Sequence, residues 1–244
     1  MKRFQDKVCI VTASATGIGF AIARKLGQEG GKIIISSRNQ KHVDAAVATL
    51  RSEGITCDGV VCHVAKDRKK LIAFTVEKFG GIDILINNAA VATHFGPSMG
   101  ITEEAYDKMV EINIKAPFFL LKEALPYLTK SQGKVIFVAS LAGYTPFGAL
   151  GVYSMTKTAL ISLTKSLGAE LAGSKIRVNS IAPGIIKTKF ADAISESEAV
   201  KTNPSGRIGY PEDCTGIVAF LCSNEADYIT GETVVIAGGA QSRL

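Results

Sequence analysis

Short apolar runs rich in Val and Ile alternate along this chain with longer stretches whose apolar residues recur at helical spacing. The runs occupy residues 8–12, 32–36, 59–63, 82–86, 134–139, 177–182 and 233–236. Near-continuous apolar character over so few residues is what a strand covered on both faces of a parallel sheet requires. Between them, residues 18–28, 40–53, 67–79, 103–128, 153–171 and 211–221 read as amphipathic helices. The alternation predicts an α/β fold: a Rossmann-type, doubly wound, parallel, seven-stranded sheet with helices on both faces. No linker, repeat or low-complexity stretch interrupts it, so residues 1–244 are expected to form a single domain. The one interval lacking both patterns, 187–207, is rich in Ser, Glu, Lys and Ala and is expected to be a mobile segment over the ligand crevice.

Composition narrows the field by exclusion. At 244 residues and 47% hydrophobic the chain is too apolar for disorder, and no run approaches the roughly 18 uncharged residues of a membrane helix. The net charge of +6, from 28 Lys and Arg against 22 Asp and Glu, is scattered, so no nucleic-acid partner is expected. Cys9, Cys57, Cys62, Cys214 and Cys222 form an odd set without a CxxC pair, which argues against a disulfide framework or a metal site and for a reducing compartment. Residues 1–9 carry no apolar signal core, so secretion is not expected.

After the first strand the chain reads Thr12-Ala13-Ser14-Ala15-Thr16-Gly17-Ile18-Gly19 and passes straight into a helix. Glycines in a strand-turn-helix context let backbone N–H groups approach a pyrophosphate at a helix N-terminus, which marks Ser14, Thr16, Gly17, Ile18 and Gly19 as cofactor contacts. The second strand ends in Ser36-Ser37-Arg38-Asn39, with no Asp or Glu to accept from ribose hydroxyls. Arg38 can pair with a 2′-phosphate while Ser37 and Asn39 donate to it, so NADPH/NADP is favoured over NAD(H).

Tyr153 and Lys157 stand four residues apart on one helical face. Ser140 lies 13 residues before Tyr153 at a strand end, and Asn113 a further 27 residues upstream inside an amphipathic stretch. Carbonyl reduction develops negative charge on oxygen, so it needs a proton donor and a hydrogen bond aimed there, roles that Tyr153 and Ser140 fit. Lys157 is expected to lower the phenol from its usual value near ~10; a shift of about three units corresponds to roughly 4 kcal/mol.

These spacings, together with the first turn, Asn87-Asn88-Ala89-Ala90 and Pro183-Gly184-Ile185-Ile186-Lys187-Thr188, resemble those of the short-chain dehydrogenase/reductase family over nearly the whole chain. The stretches 11–14, 62–66, 211–214 and 228–235 and the terminal Ser242-Arg243-Leu244 are most similar to its peroxisomal NADPH-dependent carbonyl and retinal reductases. The resemblance implies that Lys157 also binds the nicotinamide ribose and that Asn113 holds a water linking Lys157 to solvent. It implies that His63 and Val64 flank adenine, that Asn88, Ala89 and Ala90 line the adenosine ribose, and that Pro183, Gly184, Ile186 and Thr188 hold the carboxamide end. Four departures from the family pattern stand out: Ala13 in place of the first glycine, His63 in place of an acid, Ala90 in place of the last glycine of NNAG, and Thr16 where many NADP-preferring relatives carry a basic residue, which leaves Arg38 as the main phosphate ligand. Ala13 must therefore avoid or tolerate a positive φ.

Leu141, Tyr144, Phe147, Leu150, Phe95 and Phe190 lie near the motif ends that should border the nicotinamide, which favours a hydrophobic carbonyl substrate. The resemblance further implies a homotetramer, and Ser242, Arg243 and Leu244 imply recognition by a peroxisomal import receptor rather than residence in the cytoplasm. The leading expectation is a reductase of hydrophobic ketones, α-dicarbonyls or retinal-like aldehydes. An NAD(P)-dependent alcohol dehydrogenase or β-ketoacyl reductase would use the same four residues. A non-catalytic dinucleotide sensor would not need them.

Overall fold

A computed structural model of the chain describes residues 2–191, 200 and 203–240. Seven parallel strands form one sheet in the order β3-β2-β1-β4-β5-β6-β7. They are β1 (Val8–Val11), β2 (Lys32–Ser37), β3 (Cys57–Val61), β4 (Ile84–Asn87), β5 (Lys134–Val138), β6 (Arg177–Pro183) and β7 (Thr233–Ile236). All residues of β1, β4 and β6 are buried, which explains why their side chains show no polar alternation.

Helices cover both faces. On one side α1 (Gly17–Gln28), α2 (Gln40–Ser52) and α7 (Thr215–Cys222) bury Ile22, Leu26, Val43, Leu50 and Val218 against Val11, Ile33, Ile35 and Ile181. On the other, α3 (Arg68–Phe79), α5 (Ala116–Ser131) and α6 (Gly151–Leu171) bury Leu71, Leu120, Leu128, Leu160 and Leu167 against Ile10, Leu85, Val135 and Val178. The strand order reverses between β1 and β4. Their carboxyl ends therefore open the crevice in which an open α/β sheet takes its ligand.

Three expected elements differ. The third strand starts at Cys57, two residues early, because Asp58 and Gly59 interrupt its apolar signature while still pairing with β2. The continuous helix over 103–128 divides into α4 (Glu103–Val110), a π-helical turn (Glu111–Lys115) and α5. The last helix opens as a 3-10 turn, Pro211–Cys214, before α7.

Candidate active site

The turn after β1 is stapled to the turn after β4 by a cluster of hydrogen bonds. Thr12 Oγ1 accepts from the N–H groups of Asn88 (2.9 Å) and Ala89 (3.0 Å) and donates to the Ile86 carbonyl (3.3 Å). Asn88 Nδ2 donates to the carbonyls of Thr12 and Ala13 at 2.9 and 3.1 Å. Ala13 sits in the left-handed region at φ 49°, so the strain is tolerated rather than avoided, and Asn88 helps to hold it. The Asn88 side chain is thus engaged with the turn.

Ser14 is fully buried, its hydroxyl donates to Val11 O (2.6 Å) and its N–H to Ser36 O (2.9 Å), so it fixes the turn against β2. Gly19 is needed because a Cβ there would stand 2.5 Å from Asn88 Nδ2 and 2.8 Å from Ala13 O. Helix α1 begins after an extended Thr16 with no side-chain cap and no acidic residue in its first turn. Its leading donors, from Gly17, Ile18 and Gly19, are suited to an anionic ligand, and the residues present fit a pyrophosphate.

At the far end of the cleft, Arg38 is exposed and makes no hydrogen bond or ion pair among the described residues. Ser37 is half-buried; Asn39 caps α2 by accepting from His42 N at 3.3 Å. His63 is held by its neighbours, with its N–H on Asp67 Oδ2 (2.8 Å) and its Nδ1 accepting from Ala65 N (3.3 Å). Val64 and Ala89 help to line a small cleft with Thr12, Asn87, Ile112 and Ala116. Asn87 Nδ2 is buried there without a hydrogen-bond partner among the described residues, the kind of donor a bound polar group satisfies. Ala90 is half-buried beside it in sequence.

The π-helical turn carries Asn113 at its centre, and local insertions of this kind recur at functional sites. Asn113 Oδ1 accepts from Val91 N (2.9 Å), while Nδ2 donates to Val91 O (2.9 Å) and Thr156 Oγ1 (3.1 Å). Thr156 in turn donates to Tyr153 O at 2.7 Å. The Asn113 amide therefore ties the loop after β4 to α6.

Tyr153 and Lys157 are 8% and 2% exposed, which excludes a solvated lysine. Lys157 Nζ donates to Val138 O at 2.8 Å and lies 5.5 Å from the centre of the Tyr153 ring. Burial drops Lys157 to about 7. Burial pushes Tyr153 up to about 12, against a smaller opposing effect of its hydrogen bond with Ser140. In the chain by itself desolvation thus dominates the phenol, opposite in sign to the lowering expected of Lys157. Ser140 Oγ also accepts from Ala142 N at 3.2 Å, opening the 3-10 turn Leu141–Gly143.

After β6, Gly184 N–H donates to Ile236 O at 2.9 Å. Ile186 is buried, and the Thr188 methyl lies 3.2 Å from where a Cβ on Gly17 would be, so this segment reaches the phosphate turn. The Phe190 ring is 5.7 Å from that of Tyr153. Leu141 is buried, Tyr144 and Leu150 are half-buried, and Phe95, Phe147 and Phe190 are exposed. Met99, 95% exposed on the 3-10 turn Ser98–Gly100, adds to the apolar surface and carried no sequence signal. Sequence reasoning also missed Thr12 and Thr156; each is a hydroxyl inside an apolar or motif stretch, visible only as a polar residue where packing predicts none. Part of the segment 187–207 (192–199 and 201–202) and the tripeptide Ser242, Arg243, Leu244 lie outside the described residues.

Among the described residues no cluster of metal-ligating side chains occurs and no helix is long and apolar enough to cross a membrane. All five cysteines are free and buried. A family profile described as Enoyl-(Acyl carrier protein) reductase matches residues 12–241. The chain is 53% identical to the Dehydrogenase/reductase SDR family member 4 of Oryctolagus cuniculus over 98% of its own length and 95% of that protein's. It is 51% identical to the human protein of the same name, covering 98% of this chain and 89% of that one. Human Dehydrogenase/reductase SDR family member 2, mitochondrial, is 46% identical across 96% of this chain and 86% of its own. Among solved structures, NAD+-bound xylitol dehydrogenase superposes with a TM-score of 0.92 at 29% identity, over 98% of this chain and all of that one.

Proposed function

The chain belongs to the short-chain dehydrogenase/reductase family of oxidoreductases, and from that premise we propose that it is an NADPH-dependent reductase of hydrophobic ketones, α-dicarbonyls or retinal-like aldehydes. The observation that carries the reading is one constellation, half-buried Ser140 with buried Tyr153 and Lys157, on which the exposed Phe190 ring packs. Bound NADPH would supply the hydride. Held by the donors of Gly17, Ile18 and Gly19, by Arg38 and by the 183–188 segment, it would enter along the crevice from β2 to β6.

With its proton affinity raised, Tyr153 is fully protonated at neutral pH and ready to donate to the carbonyl oxygen. Ser140, already bonded to that phenol, is placed to hydrogen-bond the same oxygen as charge develops. Lys157, near half-protonation at neutral pH, can return a proton to Tyr153, drawing on solvent in turn. Asn113 and Thr156 hold the helix in place for this exchange rather than carrying the proton on their side chains. Phe190, packed on Tyr153, helps exclude water and favours an apolar substituent on the carbonyl.

The similarity to NAD+-bound xylitol dehydrogenase supports a second reading, an NAD(P)-dependent alcohol dehydrogenase. Assays of ketones, dicarbonyls and retinal with NADPH or NADH, and of alcohols with the oxidised cofactors, separate the two. Tyr153→Phe is expected to lower kcat/KM for the best carbonyl about 10³-fold with folding retained. Undiminished turnover in that variant would remove Tyr153 as the acid. We further propose a homotetramer built on α4, α5, α6 and β7, to be checked by light scattering. Peroxisomal import through Ser242, Arg243 and Leu244 is the proposed address; a C-terminal fusion that masks the tripeptide should abolish it.

A further inference from the structure

Beyond the residues that face the ligands, the segment after β6 is fixed at its return end by an ion pair to which the sequence assigns no role. Arg207 donates through Nη1 to Asp213 Oδ2 (2.7 Å) and through Nη2 to Asp213 Oδ1 (2.9 Å), a two-point geometry that sets direction as well as distance. Asp213 Oδ2 also accepts from Tyr210 N at 2.7 Å, and Asp213 N donates to Tyr210 O at 3.0 Å. Arg207 Nη1 additionally reaches Ile208 O at 3.0 Å. One carboxylate thus holds the whole stretch from Arg207 to Tyr210 in one conformation.

That stretch is the partner of the residues leading to the site. Gly209 N donates to Ile185 O (3.0 Å) and Lys187 N to Gly209 O (2.8 Å), with a parallel bridge between Ile186 and Gly209. The turn bearing Asp213, Pro211–Cys214, packs against α1, the helix whose N-terminus forms the phosphate turn. Asp213 therefore stands on a turn packed against the cofactor helix and grips the segment opposite Ile185–Lys187. Directly beyond lie Thr188, over Gly17, and Phe190, over Tyr153.

We infer that Asp213 is a positioning residue: through Arg207 and the Gly209 bridge it sets the placement of Thr188 and Phe190, and hence the affinity for cofactor and substrate. The inference rests on the dinucleotide-dependent reading above. Both partners are substantially solvent-accessible, 54% and 32% for the two side chains, so the pair contributes little to global stability. Its effect is local. That separation makes a positioning role distinguishable from a merely structural one.

The experiment compares full-length wild type, Asp213→Asn, Arg207→Gln, the double variant, Asp213→Glu and Glu212→Gln. NADPH dissociation is followed by nucleotide fluorescence, and kcat and KM are measured with an aryl ketone. Asp213→Asn and Arg207→Gln should each raise the NADPH Kd and the ketone KM by roughly threefold to tenfold, about the strength of one well-aligned exposed pair. For both, kcat should stay within about twofold and Tm within about 2 °C. The double variant should be no worse than either single one, Asp213→Glu should recover part of the loss, and Glu212→Gln should match wild type. Unchanged Kd and KM, or additive losses in the double variant, overturn the inference. Should Asp213→Asn fold poorly, Arg207→Lys, which keeps the charge but not the fork, gives the same test by itself. Wild type that binds no dinucleotide removes the functional reading and this inference together; wild type that binds while the variants match it removes only the inference.

Discussion

The two ends of the cleft are built on opposite principles. At one end Tyr153 and Lys157 are enclosed, and burial moves the phenol up to about 12 and the amine down to about 7. At the other, Arg38 projects from the end of β2 into solvent with no partner among the described residues. Proton transfer requires groups whose affinity for a proton has been changed, and desolvation is the means. Recognition of a phosphate requires a charge that stays constant on a side chain free to turn toward it. Enclosing both ends would leave the arginine costly, and exposing both would leave the lysine with no reason to titrate near neutrality.

The enclosed end gives the largest predicted effect. Because Lys157 binds protons less tightly when folded, about 7 against 10.5, the penalty for burying its charge is fully present below about pH 7. It fades as pH rises toward the unfolded value, so wild-type stability should rise between those limits. Tyr153 works in the opposite sense only above about pH 10, where the unfolded phenol ionises first. Lys157→Met removes the amine, and should be more stable than wild type at pH 6, by up to several kcal/mol, with most of that advantage gone by pH 10. Chemical denaturation at the two pH values checks this; equal stability differences at both would show that the lysine is not titrating as its burial dictates.

The exposed end gives a smaller effect on binding alone. Arg38→Asp should weaken NADPH by roughly 10- to 100-fold, as expected for loss of a charge-assisted contact and gain of repulsion, and change NADH far less. Equal losses for the two cofactors, measured by titration, would break the assignment. Between the ends lies the Thr12 staple. Thr12→Val keeps the shape but leaves the N–H groups of Asn88 and Ala89 without their acceptor, costing about 2 kcal/mol of stability by thermal or denaturant unfolding. No loss would mean that neither N–H depends on the hydroxyl.

The sheet was readable in the sequence because strands buried on both faces leave no choice but apolar runs, as in Ile33-Ile34-Ile35 or Val135-Ile136-Phe137. The nearness of Ser140, Tyr153 and Lys157 was readable from spacing within that frame. What escaped depends on which way a side chain turns. Ser14 and Asn88 stand in the right turns, but their polar atoms face the scaffold. The proton affinities of Tyr153 and Lys157 follow from enclosure, which spacing does not report. The Asp213 pair was hidden because a charged residue in a polar turn looks like ordinary surface.

The π-helical turn has a consequence for the lineage of such chains. Each helical residue sweeps about 100° of arc, so the extra residue at Glu111–Lys115 rotates everything downstream relative to α4. Remove one residue there and α5 would roll until Leu120, Leu121, Ala124 and Leu128 left the sheet, or Asn113 would be pulled away from Val91. Point changes along this rod leave its phase intact, whereas a single-codon deletion costs either the buried face of α5 or the Asn113 bonds.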